Sequence, residues 1–455
     1  MSGSLHPSAE KYAAHVNPAL VKLLGTSGHG RVFVRAKGST LWDDAGREYL
    51  DFSAASGSAN LGHNHPHVLE RMKELLATDT PNVGRGAVSG AAAELAEALA
   101  RVAAPLSRVL FSTSGADAID ASIKLARAAT KKKAIVHCKG GFHGRTLSAL
   151  SLLGAARMRD PFEPLLPECY EVPFDDLRAL ARELDQRKAA AFVVEPLQAE
   201  AGVIVPHEDY LRAAQDLCKR AGALLVVDET QTGLGRTGMM FAHQNDRFVP
   251  DVLVVGTALG GGLVPVAATL TTVDIHDRAY GRIDRFDMHG SSLSTYALGC
   301  EAALATLATL ENDDIVRHAK ERGEQLRERL RDTLTGHPFV RGVRGRGLLV
   351  GVELGPHKSG GFLSRLLPGL VDMVSKQIFA QWLAVHLLER GIYCQPASLQ
   401  RNVLKLEPPL TVTEAEVDRV VDAIADILGR YTDLRTLVSD VAARLGSQLV
   451  SGGAF

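Results

Sequence analysis

The chain has 455 residues, 46% of them hydrophobic and 23% charged, and this length exceeds what one hydrophobic core usually supports, so we expect two closely packed domains. Its 51 basic and 52 acidic residues give a formal net charge of −1, which supports neither a nucleic-acid partner nor an anionic membrane surface. The five cysteines are widely spaced and include no Cys-x-x-Cys pair, which predicts a protein without a disulfide framework or a zinc site. No apolar run is long enough for a membrane helix, so we expect a globular cytoplasmic protein.

The first 64 residues predict an irregular stretch followed by a small meander of strands. Residues 31–36 and 39–43 alternate between apolar and polar side chains, as strands do, and a turn at 44–47 precedes a third strand at 48–52. We assign residues 1–64 to an N-terminal segment that joins a small domain.

From about residue 68, stretches with helical spacing alternate with short apolar runs. Each run is apolar through its middle, which is typical of strands buried on both faces of a mostly parallel sheet. The runs begin at Arg108, Ala134, Ala191, Ala223 and Val252. This alternation predicts a large α/β, doubly wound domain over residues 65–335, with its ligand beyond the carboxyl ends of the strands.

Residues 336–455 predict a smaller α+β domain. Strands are expected near 347–353 and 403–406, and a helix from Glu414 to Leu428. An amphipathic stretch from Leu370 to Arg390 precedes the second of these strands. The tail from Leu434 to Leu449 predicts one more surface helix.

Polar motifs follow the apolar runs. Ser114 and Gly115 open a predicted helix, where free backbone N–H groups and the helix dipole suit a phosphate, although a plain N-cap explains them equally well. Asp228 follows a buried strand, where a carboxylate is costly to desolvate without a cationic partner. A helix cap or a structural ion pair would explain Asp228 as well.

Four further motifs are less specific when each is taken alone. An ordinary turn or a satisfied polar group at a strand end would explain any one of them. They are Phe142-His-Gly-Arg-Thr, Glu195-Pro-Leu-Gln-Ala-Glu, Val255-Gly-Thr-Ala-Leu-Gly-Gly-Gly and His289-Gly-Ser-Ser.

The order and spacing of these motifs are far more specific than any one of them. From about Asn17 to Gly429 the sequence resembles the class III (ornithine, acetylornithine and polyamine) aminotransferase family. The matching pieces also include Gly62-His-Asn-His-Pro, Asp228-Glu-Thr-Gln-Thr-Gly-Leu-Gly-Arg-Thr-Gly, Pro250-Asp-Val-Leu, Arg344-Gly-Arg-Gly-Leu and Pro408-Pro-Leu. The resemblance implies a fold-type-I enzyme dependent on pyridoxal 5′-phosphate, with a small domain built from both chain ends.

The resemblance also implies roles for individual residues. The cofactor phosphate would lie at the helix N-terminus formed by Ser114, Gly115 and Ala116. Phe142 would stack on the pyridine ring with His143 beside it, Asp228 would pair with the ring nitrogen, and Gln231 would approach the ring hydroxyl. Ser292 stands where the family has a threonine that reaches the phosphate of the neighbouring subunit, which implies a homodimer with shared active sites.

The chain departs from the family at the lysine that binds the cofactor covalently and moves the substrate proton. The family's Gly-Lys-Ala-Leu-Gly-Gly-Gly is Gly256-Thr257-Ala-Leu-Gly-Gly-Gly here, and a threonine hydroxyl is neither an amine nor a useful base. Three explanations stay open. Thr257 is an engineered substitution, or a natural enzyme uses pyridoxal or pyridoxamine phosphate non-covalently with His143 or His289 as base, or the protein is a pseudoenzyme.

Residues expected at the substrate also differ from the family. Lys405 replaces an arginine that receives a carboxylate, although Glu200, which pairs with that arginine in ornithine-type members, is retained. Ser56 lies where some members place a tyrosine over the substrate. Lys405 as a substitute cofactor lysine is a weaker alternative, because the family geometry places it at the far end of the substrate.

These residues predict an aminotransferase-type enzyme that acts on an amine or amino acid and holds its cofactor non-covalently. Two other functions stay open. One is lysine-independent chemistry on the bound cofactor, such as dehydration or condensation. The other is a catalytically dead homodimer that serves as a binding or regulatory protein.

Overall fold

The computed structural model describes residues 6–26, 30–83, 86–355 and 379–431, together with 436 and 440. The side chains of Thr26 and Thr257 lie outside this description. The α-helices over these ranges are α1 (Pro7–His15), α2 (Pro18–Thr26), α3 (Pro66–Leu76), α4 (Gly90–Val102), α5 (Gly115–Thr130), α6 (Leu147–Ser151), α7 (Ala156–Arg159), α8 (Leu177–Arg187), α9 (Tyr210–Ala221), α10 (Val273–Tyr280), α11 (Ala297–Asn312), α12 (Ile315–Leu334), α13 (Phe379–Glu389) and α14 (Glu414–Gly429).

Three sheets organise the described chain. The largest has seven strands in the order β4-β10-β9-β8-β7-β5-β6, and β10 runs antiparallel to both of its neighbours. Its strands are β4 (Arg108–Ser112), β5 (Ile135–Cys138), β6 (Cys169–Val172), β7 (Ala191–Val194), β8 (Leu224–Glu229), β9 (Val252–Val255) and β10 (Ala267–Thr271). The sequence prediction of a mostly parallel, doubly wound sheet is confirmed.

Two four-stranded sheets lie outside this large one, in the orders β1-β2-β3-β13 and β11-β12-β15-β14. Their strands are β1 (Phe33–Lys37), β2 (Thr40–Asp43), β3 (Glu48–Asp51), β11 (Val340–Arg346), β12 (Leu349–Leu354), β13 (Ile392–Tyr393), β14 (Gln395–Pro396) and β15 (Val403–Leu406). Strand β13 pairs in parallel with β3, so segments far apart in the chain share one sheet. The division into residues 1–64, 65–335 and 336–455 stays a prediction.

The central strands of the large sheet are buried on both faces. In β8, Val226 packs in an apolar cluster with Ile119 of α5, whereas Leu225 packs on the opposite side with Leu180 of α8 and Leu211 of α9. Successive side chains of a strand point to opposite faces, so helices on both faces require an uninterrupted apolar run. The edge strand β4 is less buried than these central strands.

The structure corrects the prediction that the N-terminal segment begins irregularly. Helices α1 and α2 both start with a proline, whose fixed φ suits the first helical position. The His6 side chain also caps α1 by accepting a hydrogen bond from the Ser8 amide at 3.1 Å. These helix-start signals are visible in the sequence at Pro7 and Pro18 and were missed.

The C-terminal predictions are confirmed where they can be compared. Strands β12 and β15 and helix α14 lie at the expected positions, and α13 covers the end of the stretch predicted from Leu370. The start of that stretch and the tail helix predicted from Leu434 fall outside the described residues. Among the helices of the described ranges, none has both the length and the apolar character of a membrane span.

Candidate active site

A cavity of about 460 Å³ lies beside the carboxyl ends of β5 and β8 and the N-terminus of α5. This is the edge of a parallel sheet where ligands of doubly wound folds bind. The cavity brings together eight residues that the sequence analysis selected. They are Ser56, Gly115, Ala116, Phe142, His143, Glu200, Gln231 and Lys405.

The N-terminus of α5 forms one wall of this cavity. Ser114 is the N-cap, and its hydroxyl oxygen accepts a hydrogen bond from the Asp117 amide at 3.2 Å. The capping interpretation of Ser114 is therefore confirmed, while Gly115 and Ala116 line the cavity. The first amides of a helix have no intrahelical acceptor, so this wall offers donors to an anion.

Gly115 is required by a close approach to the neighbouring strand end. A Cβ at this position would lie 2.8 Å from Cγ2 of Thr230, which also lines the cavity. A glycine therefore lets α5 begin directly against the loop that follows β8.

His143 lines the cavity and forms a buried pair with Asp228, which is not itself among the lining residues. Nδ1 of His143 lies 2.7 Å from Oδ2 of Asp228, and Oδ1 of Asp228 accepts a hydrogen bond from the Thr230 amide at 2.9 Å. Burial alone would lower the pKa of His143, but the hydrogen bond and charge of Asp228 outweigh it, so the pKa is raised. Nε2 of His143 is buried and meets no hydrogen-bond partner among the described residues.

Glu195 is a buried carboxyl that the sequence analysis noted in a motif without giving it a role. Its Oε1 accepts a hydrogen bond from the Phe142 amide at 2.8 Å, which fixes the backbone of the cavity-lining phenylalanine. Burial raises the pKa of Glu195 to about 8, and the negative charge of Asp228 adds to this effect. Glu195 is therefore mostly protonated near neutral pH.

At the other end of the cavity, Lys405 lies between two carboxylates. Its Nζ is 2.5 Å from Oε1 of Glu200 and 3.0 Å from Oε2 of Glu407. Nε2 of Gln231 lies near the same two oxygens, at 3.1 and 3.4 Å. The sequence analysis selected Lys405, Glu200 and Gln231 but missed Glu407, although it stands next to the matched tandem proline.

The ion pairs dominate the titration of this cluster. Burial alone would raise the pKa of Glu200, but the positive charge and hydrogen bond of Lys405 lower it to about 2. Burial alone would lower the pKa of Lys405, but Glu407 and Glu200 outweigh it and raise the pKa. Lys405 is therefore a charged ammonium within the cavity wall and is unsuited to nucleophilic attack.

A short left-handed segment borders the same end of the cavity. Residues Ala54, Ala55 and Ser56 have φ values of 43°, 51° and 58°, and Gly57 continues the turn at 81°. Left-handed backbone is costly for non-glycine residues and is retained only where the surroundings enforce it. Ser56 lines the cavity as predicted, and Gly57 lies against the carboxylate of Glu407.

Thr257 begins a 3₁₀ turn, Thr257–Gly260, directly after β9. Its side chain lies outside the described part of the chain, so its predicted place in the site rests on its backbone. The preceding Gly256 packs so closely on Thr230 that a Cβ would lie 2.7 Å from the Thr230 carbonyl oxygen. The backbone of residue 257 therefore starts beside a residue of the cavity wall.

Ser292 does not belong to the cavity of this single chain. It is exposed, in a segment between α10 and α11, and is not among the lining residues. Several apolar side chains near it are also exposed, namely Ile283, Phe286, Met288 and Leu293.

Comparison with known proteins gives consistent results over most of the chain. The sequence model of the family "Aminotransferase class-III" matches residues 26–428. Aminotransferase PigE of Serratia sp. is 35% identical over 453 residues, which cover 92% of this chain, although the chain spans only 53% of PigE. Acetylornithine aminotransferase of Methanopyrus kandleri is 35% identical over 87% of this chain and 93% of its own length.

A solved structure of the ornithine aminotransferase from Toxoplasma gondii has a similar fold. It superposes with a TM-score of 0.79 at 28% identity and covers 94% of this chain and 98% of its own. That structure is described as having pyridoxal phosphate at partial occupancy in the active site.

Proposed function

Because the chain belongs to the class-III aminotransferase family, we propose that it holds the cofactor of that family, pyridoxal phosphate, without a covalent bond. The chain is an aminotransferase-like enzyme that uses this cofactor. The family acts on amines or amino acids. The absence of a lysine at Thr257 supports the finer proposal, because threonine cannot condense with the cofactor aldehyde.

One observation carries the assignment of the cofactor site. The helix N-terminus at Gly115 and Ala116 lines the cavity, and the buried carboxylate of Asp228 lies behind the lining residue His143, 2.7 Å from its Nδ1. These groups suit the two polar ends of pyridoxal phosphate, its phosphate and its protonated ring nitrogen. The cavity volume also falls in the ordinary range for small-molecule sites, roughly 300–1,000 Å³.

The proposed roles follow from these positions. Amides at Gly115 and Ala116 would bind the phosphate, and Asp228 would hold a proton on the ring nitrogen. His143 orients Asp228 through the 2.7 Å contact. Phe142 lines the cavity, where it would cover one face of the ring and exclude water from it. When bound, the cofactor acts as an electron sink for the carbon that bears the amino group.

Proton transfer is the weak step in this site. Threonine at position 257 cannot act as a base near neutral pH, and Asp228 shifts His143 towards its protonated form, which has no lone pair to accept a proton. We therefore expect slow transamination at best. Lysine-independent dehydration or condensation and a purely regulatory role stay as alternative functions.

We further propose a homodimer in which Ser292 contributes to the site of the neighbouring subunit. The exposed apolar side chains in the same segment as Ser292, at residues 283–293, support an interface there, because exposed apolar surface is often covered at contact sites. Sedimentation analysis of wild type and of Phe286→Asp tests it. A monomeric wild type would contradict this proposal.

Equilibrium dialysis against pyridoxal phosphate, followed by absorbance, tests the cofactor site. We expect saturable binding by wild type and a loss of about 100-fold in affinity for Asp228→Asn, which keeps the shape and removes the charge. Asp246→Asn is the control, because Asp246 pairs with Arg346 away from the cavity. Absent binding by wild type, or equal affinity of both variants, would contradict the proposed site.

A further inference from the structure

We propose that Glu407 is a specificity-determining residue. It forms an ion pair with Lys405, in space that Gly57 leaves open, and thereby prevents Lys405 from binding a substrate carboxylate. The preferred substrates are then primary amines without a carboxylate group. This inference rests on the proposed function and names its substrate class.

Lys405 already has two carboxylate partners in the wall of the cavity. Its ammonium contacts one carboxylate oxygen of Glu200 and one of Glu407, and the Gln231 amide reinforces the same two oxygens. One positive charge therefore faces two negative charges. A cation that receives a substrate carboxylate must have an unbalanced charge to offer, and Lys405 has none.

The position of Glu407 beside Lys405 is fixed by its surroundings. Its side chain is fully buried, its amide donates to the Phe52 carbonyl oxygen at 2.9 Å, and Pro408 follows it. Gly57 lies so close that a Cβ there would be 2.5 Å from Oε1 of Glu407. The absence of a side chain at residue 57 is thus what makes room for this carboxylate.

Other charged residues lie near the pair of Lys405 and Glu407. Arg236 lies near enough to interact electrostatically with Glu407 and with Asp51, and its Nη1 donates to the carbonyl oxygens of Leu348 and Pro408. Two cations, Lys405 and Arg236, thus face three carboxylates, Glu200, Glu407 and Asp51. Asp51 also lies 2.8 Å from Nε2 of His63, and both cations of this group already have carboxylate partners.

A substrate carboxylate near this wall would add a negative charge to a buried cluster whose cations already have carboxylate partners. Unpaired charges are poorly tolerated at buried positions, so such a substrate would bind weakly. An amine without a carboxylate meets no such repulsion, and a distal ammonium would be attracted. Glu200 alone could be displaced by a carboxylate, but Glu407 could not.

The test uses cofactor conjugates that need neither the missing lysine nor turnover. Diaminobutane and ornithine differ by one carboxylate, and each is joined through one amine to phosphopyridoxyl by a reduced carbon–nitrogen bond. Linking ornithine through its α- or its δ-amine places the carboxylate near to or far from the ring. Binding of all three conjugates and of pyridoxamine phosphate is measured by titration calorimetry.

For wild type we expect the diaminobutane conjugate to bind at least about tenfold more tightly than either ornithine conjugate. In Glu407→Gln, which removes one charge at constant size, this ratio should fall to within about threefold. Gly57→Ala should reduce it as well, because the new methyl group displaces the carboxylate without changing the charge. Glu70→Gln, on the exposed face of α3, is the control and should keep the wild-type ratio.

Two results would overturn the inference alone. One is wild-type binding of an ornithine conjugate as tight as that of the diaminobutane conjugate. The other is an unchanged ratio in a folded Glu407→Gln protein. If wild type binds neither pyridoxamine phosphate nor any conjugate, the proposed cofactor site is wrong and the inference falls with it.

Discussion

The two ends of the cavity are built in different ways. The end with His143 and Asp228 lies where strands of the large sheet finish, and its polar groups match the motifs of the family. The end with Lys405 is assembled from β15, the loop after β7 and the left-handed segment at 54–57, and its charge balance differs from a simple carboxylate receptor. We call these the proposed cofactor end and the proposed substrate end. They consist of separate groups of residues, so our proposal is that cofactor binding and substrate choice can change independently.

The largest expected effect comes from restoring the amine at the cofactor end. Thr257→Lys should raise transamination of a primary amine by about 10²–10⁴-fold, the usual contribution of a positioned base, because the other cofactor-binding groups are present. Thr257→Ala, which also lacks an amine, is the matched control. Rates that do not rise in a folded, cofactor-binding lysine variant would show that the cofactor end has changed further than its motifs indicate.

The next effect concerns the stability of the substrate end. Lys405→Met leaves two buried carboxylates without their cation and should lower the free energy of unfolding by about 3–5 kcal/mol. Lys73→Met removes a lysine from an exposed pair with Glu70 and should change it by less than about 1 kcal/mol. Denaturant unfolding of both variants measures the difference. If they are equally stable, the cluster around Lys405 is not held by its charges.

A smaller effect is the pH dependence of stability that Glu195 causes at the proposed cofactor end. Glu195 has an ordinary pKa of 4.5 and a pKa of about 8 in the folded chain, so the folded state keeps a proton that the unfolded state releases between these values. Its contribution to wild-type stability is present below pH 4.5 and is lost as the pH rises through 8. Glu195→Gln has no such titration.

Glu195→Gln should therefore gain stability relative to wild type as the pH rises from 5 to 9, by a total on the order of 1–3 kcal/mol. The glutamine oxygen can still accept the Phe142 amide, so the cavity wall keeps its shape. Thermal unfolding of both proteins across this pH range gives the comparison. A difference that is constant with pH would mean that Glu195 ionises normally.

The smallest effect concerns the start of α5, the proposed binding site of the cofactor phosphate. It is compared with the start of α4, a helix whose first residue is also a glycine. Gly115→Ala should weaken binding of pyridoxal phosphate by about tenfold, because its Cβ would meet Thr230 at 2.8 Å and shift the start of α5. Gly90 is the matched control, since it also follows a serine N-cap at a helix start but has open space around its Cα. Gly90→Ala should leave cofactor affinity unchanged.

The sequence predicted most strands of the large sheet for a physical reason. The central strands carry their own signal, since burial on both faces requires apolar runs, and the residues at their ends follow in the same short segments. Strand β10 and the edge strand β6 were missed because neither stands out as an apolar run of that kind. Element order in the sheet depends on pairings that no local pattern records.

The contacts of Lys405 could not be predicted from local patterns. Its partner Glu200 is 205 residues away in the chain, and the space for Glu407 depends on the backbone of Gly57. Glu407 lies only two residues from Lys405, but its role appears only once β15 is placed against the loop at 53–58. Substrate recognition in this fold therefore has to be derived from the structure.

The central claim is that the cofactor end is retained although the covalent link is absent. Reduction with borohydride in the presence of pyridoxal phosphate, followed by intact and peptide mass spectrometry, tests it most directly. We predict that wild type binds the cofactor on dialysis yet gives no stoichiometric covalent adduct, whereas Thr257→Lys is labelled at residue 257. Stoichiometric labelling of wild type at Lys405 or another lysine would contradict non-covalent binding.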